Sequence, residues 1–226
     1  MRLVTWNLHF ALGTDYRFAP GRILDALDGF GADVACLQES ELRIGRRSAL
    51  PLDGLAARGW TRVGAVAPRS LGYRGNAILL RDGWSASDAA HVPLRGWDPR
   101  GALIARLAGP RGAVTLACVH LGLQRRHRLA QLRRVLAALA ERPGPHVIAG
   151  DTNEWRRRAL PLPDGWTDTA PGKSFSSRMR AFPLDRVLAG PGLAVSDARV
   201  ETEGFDRRAS DHLPVTATLG LSGSSP

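Results

Sequence analysis

Val147 to Trp155 reads VIAGDTNEW, an apolar run that stops at Gly-Asp-Thr-Asn. Such a run is expected to be a buried strand that hands Asp151 and Asn153 to the loop at its carboxyl end, where α/β folds assemble their sites. Asp and Asn two residues apart on an extended segment point the same way. The carboxylate can hold or deprotonate a water, and the amide can donate to negative charge that builds in a transition state. The same spacing also suits a plain Asx-turn after a strand.

Working back toward the amino terminus, three more strands end in polar groups. Ala113 to Leu121, AVTLACVHL, delivers His120, and Ala102 to Leu107 is its expected neighbour across a Gly-Pro-Arg-Gly turn at 109–112. Asp33 to Glu39, DVACLQE, ends in Glu39, and Leu3 to Trp6 is a short strand with Asn7 at its end. Gly75 to Leu80, GNAILL, is a further strand behind an Arg/Ser/Gly-rich, mobile-looking stretch, Pro68 to Arg74. Glu41 to Arg47 reads as a charge-rich loop, and Leu50 to Trp60 as a loop or short helix. Ile23, Leu24 and Leu27 repeat at helical spacing behind Pro20. So do Leu129, Leu132, Val135, Leu136 and Leu139, with Arg125, Arg126, Arg128, Arg133 and Arg134 at the other positions of that helix. A solvated face accounts for those arginines, and a phosphate-binding stripe is the alternative. Polar-ended strand, helix and acid-ended strand thus occur twice, at Leu3–Asn7 with Val34–Glu39 and at Val114–His120 with Val147–Asp151. A faint internal duplication of this kind would bring four strand ends to one place.

The last third adds two groups. PLDRVL at 183–188 sets Asp185 among apolar residues, which a carboxylate tolerates only with a partner. ASDHLPV at 209–215 sets Asp211 and His212 just ahead of a final strand, Val215 to Leu219, where they suit a metal ligand beside an acid or base, or simply a turn.

The chain has 226 residues, a length that fits one domain with a substantial core. Residues 1–219 are expected to be that domain and 220–226 a flexible tail. The formal charge of +10 points to polyanions such as nucleic acid or an anionic membrane surface, although a basic side that is almost wholly Arg, with Lys173 the single Lys, also fits a coding bias. Cys36 and Cys118 read as buried free thiols. The amino terminus is too polar for a signal peptide and no run approaches a membrane span, so a cytoplasmic protein without an integral membrane segment is expected. Core packing is the default for Trp60, Trp84, Trp97, Trp155 and Trp166.

Asn7 in TWNLH, Glu39 in LQES, Gly75-Asn76 in GNAIL, His120 in VHLG, Asp151 and Asn153 in GDTNEW, Asp185 in LDRVL and Ser210-Asp211-His212 in SDHLPV occur in this order. Together they resemble the endonuclease/exonuclease/phosphatase superfamily over essentially the whole chain, in the manner of a small bacterial member. The resemblance implies an α/β protein, a four-layer α/β/β/α sandwich of two packed mixed sheets flanked by helices, with its site where strand ends meet. It implies Mg²⁺ or Mn²⁺ held by Glu39, Asn7 and Asp211, oxygen ligands suited to a hard cation. It implies that Asp151 orients or deprotonates water, that Asn153, His120 and His212 contact the phosphate, and that Asp185 orients His212. One departure is evident. The deoxyribonuclease branch has a Glu near GNAIL that pairs with the first His, and here no carboxylate partner for His120 is visible. Tyr73, Arg74, Asn76 and Arg178 are weaker candidates for lining the cleft. The implied activity is phosphodiester hydrolysis, with DNA or RNA favoured by charge over a phospholipid or small phosphoester. A silent binding module fits less well, because a costly charged cluster is retained. Oligomeric state is not legible.

Overall fold

The computed structural model describes residues 1–42, 47–98, 100–110, 112–156 and 159–222. The first half runs β1 (Arg2–Asn7), α1 (Pro20–Gly29), β2 (Val34–Gln38), α2 (Leu52–Ala56), β3 (Thr61–Val63) and β4 (Ala77–Leu80). The middle is β5 (Ser85–Leu94), β6 (Arg100–Gly109), β7 (Gly112–His120), α3 (Arg125–Ala140) and β8 (His146–Asp151). The chain closes with β9 (Thr167–Thr169), β10 (Asp185–Ala189), β11 (Leu193–Val200) and β12 (Val215–Leu221).

The strands form two six-stranded sheets, ordered β11-β12-β1-β2-β4-β3 and β5-β6-β7-β8-β10-β9. The duplication read from the sequence is present as topology. β1 and β2 pair in parallel, as do β7 and β8, and in each half the second strand also pairs antiparallel with a later one, β4 or β10. Both parallel pairs are bridged by a helix, α1 or α3, which is the crossover that parallel neighbours require.

Alternation along the strands sorts side chains into layers. Leu3, Cys36, Ile78, Leu116, Cys118, Val147 and Val187 face the partner sheet and form the central core. Val4, Trp6, Ala35 and Leu79 face the other way and pack on Ile23, Leu24 and Leu27 of α1. Val119, Ile148 and Leu188 pack on Leu132, Val135 and Leu139 of α3. Helix, sheet, sheet and helix follow in that order, which is the expected four-layer architecture. Both cysteines are buried and free.

Several details differ from the sequence reading. β5 and β11 are absent from it because β5 is mostly exposed and β11 alternates exposed with half-buried residues, so neither carries a long apolar run. β12 takes in Gly220 and Leu221, which were placed in the tail. Residues 223–226, and parts of the loop at 41–47 and the turn at 109–112, lie outside the described residues. The stretch before β4 is tied down rather than loose. The buried Glu41 accepts from Ser70 Oγ and from the backbone N–H groups of Gly72 and Gly75. Arg128 does not belong to a solvated face. It is buried, pairs with Glu154 at 3.1 Å, and donates to the carbonyls of Gly122 and Leu123. No helix among the described residues is long and apolar enough to cross a membrane.

Candidate active site

Four strand ends meet at one edge of the sandwich. β1 ends at Asn7 and β7 at His120, Glu39 follows β2, and β8 ends at Asp151. The close approach of β8 to β7 requires Gly150. It has φ +151°, and a Cβ there would lie 1.9 Å from the Val119 carbonyl oxygen, so the Gly in GDTN is set by packing.

Asp151 does two things at once. Its Oδ1 accepts from the backbone N–H of Asn153 at 2.9 Å, which is the Asx-turn. Its Oδ2 faces three groups brought by other strands: Asn7 Nδ2 at 3.1 Å, His120 Nε2 at 3.3 Å and His212 Nε2 at 3.7 Å. Glu39 Oε1 lies 3.4 Å from Asn7 Nδ2 and 3.9 Å from His120 Nδ1. Glu39 and Asn153 both hold left-handed backbone, with φ +48° and +51°. The amide of Asn153 is turned toward the Leu121 carbonyl, 2.8 Å away.

Behind His212 stands Asp185, fully buried, with its Oδ2 at 2.8 Å from His212 Nδ1 and 2.5 Å from Ser174 Oγ. Trp6 Nε1 donates to the His212 carbonyl at 2.9 Å and fixes the backbone at that point. Burial pushes the His212 imidazole toward neutrality, but Asp185, Asp151 and Asp211 outweigh it and raise its pKa to about 10. His120 goes the other way. Burial lowers it to about 3 against the pull of Asp151, and Arg100 adds to the lowering. Burial also raises Glu39; the Asn7 amide counters this, while Asp211 and Asp151 add to it.

The partner of His120 that the sequence did not reveal is Arg100, at the start of β6, whose Nη1 lies 2.7 Å from His120 Nδ1. A guanidinium can only donate, so Nδ1 accepts and the proton of the neutral ring sits on Nε2, facing Asp151. Ser174 was missed as well. Neither lies in an apolar run; Ser174 opens the SFSS stretch ahead of LDRVL, but nothing in that stretch says which of its serines reaches Asp185.

A cavity of about 580 Å³ opens over this cluster. Asn7, Glu39, Arg100, His120, Asp151, Asn153 and His212 line it, together with Trp155, Phe175 and Phe182. Asp185 lies behind His212. Asp211 precedes His212, with its Oδ1 3.5 Å from Ser210 Oγ. The four weaker candidates do not line the cavity. Asn76 is buried and donates to the Gly101 carbonyl, Tyr73 stacks on His91 at 4.7 Å, Arg74 donates to the Arg100 carbonyl, and Arg178 donates to the Thr14 carbonyl. The first three tie the segment before β4 to β5 and β6, and Arg178 joins two loops.

The model of the endonuclease/exonuclease/phosphatase family matches residues 4–212. The chain belongs to this family. Its members are phosphoesterase hydrolases that generally use a divalent metal, and the chain is an enzyme of that class. Protein YbhP of Escherichia coli (strain K12), described as uncharacterized, is 29% identical over 247 aligned residues, covering 97% of this chain and 96% of YbhP. A family structure from Beutenbergia cavernae DSM 12333 superposes with a TM-score of 0.74 at 24% identity, covering 99% of this chain and 72% of that one. D. rerio TDP2 complexed with single strand DNA product gives 0.75 at 18% identity, with 98% and 99% covered. The mannosyl-6-phosphatase Bt3783 of Bacteroides thetaiotaomicron VPI-5482 gives 0.74 at 17%, with 98% and 100% covered. At these identities the structures show the shared fold.

The donor set of this family member can be tested for a metal. Asp151, Asp185 and His212 have ligand atoms within 4.8 Å of one another. That trio is a poor host, because Asp185 Oδ2 already holds His212 and Ser174, and a protonated imidazole has no lone pair to give. Glu39 with Asp211 fits better. Burial first, and the Asp211 carboxylate after it, raise the Glu39 pKa, and a hard cation relieves that crowding of negative charge. Asn7 is a third oxygen donor only if its amide turns over, since Nδ2 rather than Oδ1 now faces Glu39 and Asp151.

The two histidines give opposite pH dependences in cation-free protein. His212 holds its proton natively up to about 10 while the unfolded chain releases it near 6.5, so its stabilisation is complete below 6.5 and is lost as pH rises toward 10. His120 stays neutral natively down to about 3 while the unfolded chain gains a proton below 6.5, so stability is lost as pH falls through that window. Urea midpoints measured against pH in chelator should therefore fall on both sides of neutrality. Asp185→Asn should flatten the alkaline limb, and an unchanged limb in that variant would exclude the assigned coupling.

Proposed function

We propose that the enzyme hydrolyses phosphodiesters by in-line attack of water, with Asp151 orienting and deprotonating that water. The observation that carries this reading is the single Asp151 oxygen facing Asn7, His120 and His212, groups supplied by separate strand ends. His212, kept protonated by Asp185, donates from Nε2 to a non-bridging oxygen of the phosphate. His120 acts as a neutral donor from Nε2 rather than as an acid, because Arg100 occupies its other nitrogen. Asn153 keeps one amide hydrogen for the same phosphate once the other is spent on Leu121. Glu39 and Asp211, with Asn7 after rotation of its amide, would hold Mg²⁺ or Mn²⁺, which when bound supplies charge stabilisation at phosphorus and leaving group.

The basic balance of the chain favours nucleic acid as substrate. A phospholipid or small phosphoester is the second reading, favoured by the apolar side chains in the cavity lining. The test is a panel of plasmid DNA, single-stranded RNA, an abasic duplex, sphingomyelin, phosphatidyl lipids and bis-p-nitrophenyl phosphate, each with Mg²⁺, Mn²⁺ and chelator. Hydrolysis with cation and none with chelator is expected. Turnover of a nucleic acid should weaken steeply with salt, as binding through several phosphates requires, whereas a small soluble diester should respond little. Turnover that persists in chelator would refute the metal assignment.

A further inference from the structure

The cavity has a lining of two kinds. Beside the polar cluster its lining includes Leu123, Trp155, Phe175, Phe182 and Leu184, with Phe182 bridged to Phe175 and set against Trp155. Trp155, expected in the core, is 56% exposed, and Phe182 is 38% exposed. Their ring centroids are 5.7 Å apart at an interplanar angle of 50°, forming an open ledge at the mouth.

The loop that carries this ring is held from beneath. Arg186 is fully buried, and its Nη2 donates to the carbonyls of Glu154 at 2.7 Å and Arg156 at 2.8 Å, the residues on either side of Trp155. Its Nη1 donates to Asp168 at 2.6 Å. Glu154 is itself buried between Arg128, at 3.1 Å, and the Arg156 N–H, also at 3.1 Å. Burying charged groups is a costly way to shape a loop. What this set of contacts fixes in place is the stretch of backbone that presents the Trp155 ring to solvent beside the polar cluster. A backbone already held in place loses little freedom when something stacks on the ring it carries. Arg125 and Arg156 line the same cavity, both exposed and, among the described residues, with no ion-pair partner.

We propose that this ledge binds the nucleotide adjoining the scissile phosphate of a single-stranded nucleic acid. Its base stacks on Trp155 against Phe182, and Arg125 and Arg156 take the neighbouring phosphate. The inference rests on reading the polar cluster as a phosphodiesterase site, and it names the substrate class of that site. Stacking needs a base whose face is free, which an unpaired strand offers and a duplex does not. Aromatic faces interleaved with cations along a groove are the arrangement that single strands recognise. This lining has that arrangement on the scale of one base and one phosphate. The exposed rings of Tyr16 and Trp97, which a bilayer could also engage, do not line the cavity.

The test reads binding without turnover, through the fluorescence anisotropy of a labelled oligothymidylate in chelator. Trp155→Ala should weaken binding by about ten-fold, the loss of one stacked base, and Trp155→Phe should keep most of it. Arg156→Ala should weaken binding and reduce its salt slope by about one phosphate. Both side chains are exposed, so the fold is not at stake. With Mg²⁺ or Mn²⁺, Trp155→Ala should lower kcat/KM for thymidine 5′-(p-nitrophenyl phosphate) several-fold more than for methyl p-nitrophenyl phosphate, which has no base to stack. Unaltered oligonucleotide affinity in Trp155→Ala overturns the proposal. So does loss of binding to phosphatidylglycerol vesicles with oligonucleotide binding retained, which would assign the ledge to lipid. If the unaltered protein turns over neither diester, the phosphodiesterase reading falls, while the anisotropy result still decides the ledge.

Discussion

Asp151→Asn is expected to lower kcat on bis-p-nitrophenyl phosphate by ~10²–10⁴, the usual loss when a positioned base is removed. The substitution is nearly isosteric, and one side-chain oxygen can still accept from the Asn153 N–H, so the Asx-turn survives. The other oxygen becomes an NH₂ group aimed at Asn7 Nδ2, His120 Nε2 and His212 Nε2, where it meets donors in place of an acceptor. The variant should keep its unfolding transition and its affinity for substrate, with the loss falling on kcat rather than KM. Retention of most activity would remove Asp151 from the reaction. Loss of cooperative unfolding would mean that the carboxylate serves the fold, and Asp185→Asn provides a comparison because it changes a buried charge that lies behind His212 and does not reach the cavity.

The parts of this arrangement that could be read from the chain are those that coincide with buried apolar runs. β1, β2, β7 and β8 are each sealed on both faces, so their sequences are near-continuous runs with abrupt polar ends, and those ends are Asn7, Glu39, His120 and Asp151. Asp185 was legible for the opposite reason, as a carboxylate set in an apolar strand. Arg100 was not, because its segment, WDPRG, looks like a turn and its role depends on β6 lying beside β7, where Ala102 pairs with Val119. Trp155 was misplaced because an aromatic side chain is buried by default, and its exposure follows from contacts to Arg186 some thirty residues away. Tyr73, Arg74, Asn76 and Arg178 failed as cleft residues through the same dependence on distant partners. Proximity in sequence to GNAIL or LDRVL carries no information about which way a side chain is drawn.

Glu39→Ala should abolish cation-dependent hydrolysis, with a loss at least as large as that of Asp151→Asn, and it should do so without weakening the cation-free protein at neutral pH. The two halves of that expectation share one cause. Burial, together with Asp211 and Asp151, raises the Glu39 pKa above its unfolded value, so the ionised side chain is a liability to the native state above the native pKa, and the liability disappears as pH falls below the unfolded value. Replacing it with Ala should therefore leave the chelated protein as stable as before or more so near pH 7, with the advantage vanishing in acid. Added Mg²⁺ or Mn²⁺ reverses the comparison. A ligand at 100 times its Kd stabilises the native state by about 2.7 kcal/mol, and only the unaltered protein should show the corresponding rise in Tm. A site that is unfavourable when empty and favourable when filled is the thermodynamic signature of a metal centre, and it separates Glu39 from a carboxylate that merely supports its loop. Were Glu39→Ala to lose stability in chelator, or to keep the cation-induced rise in Tm, the metal would have to be held elsewhere.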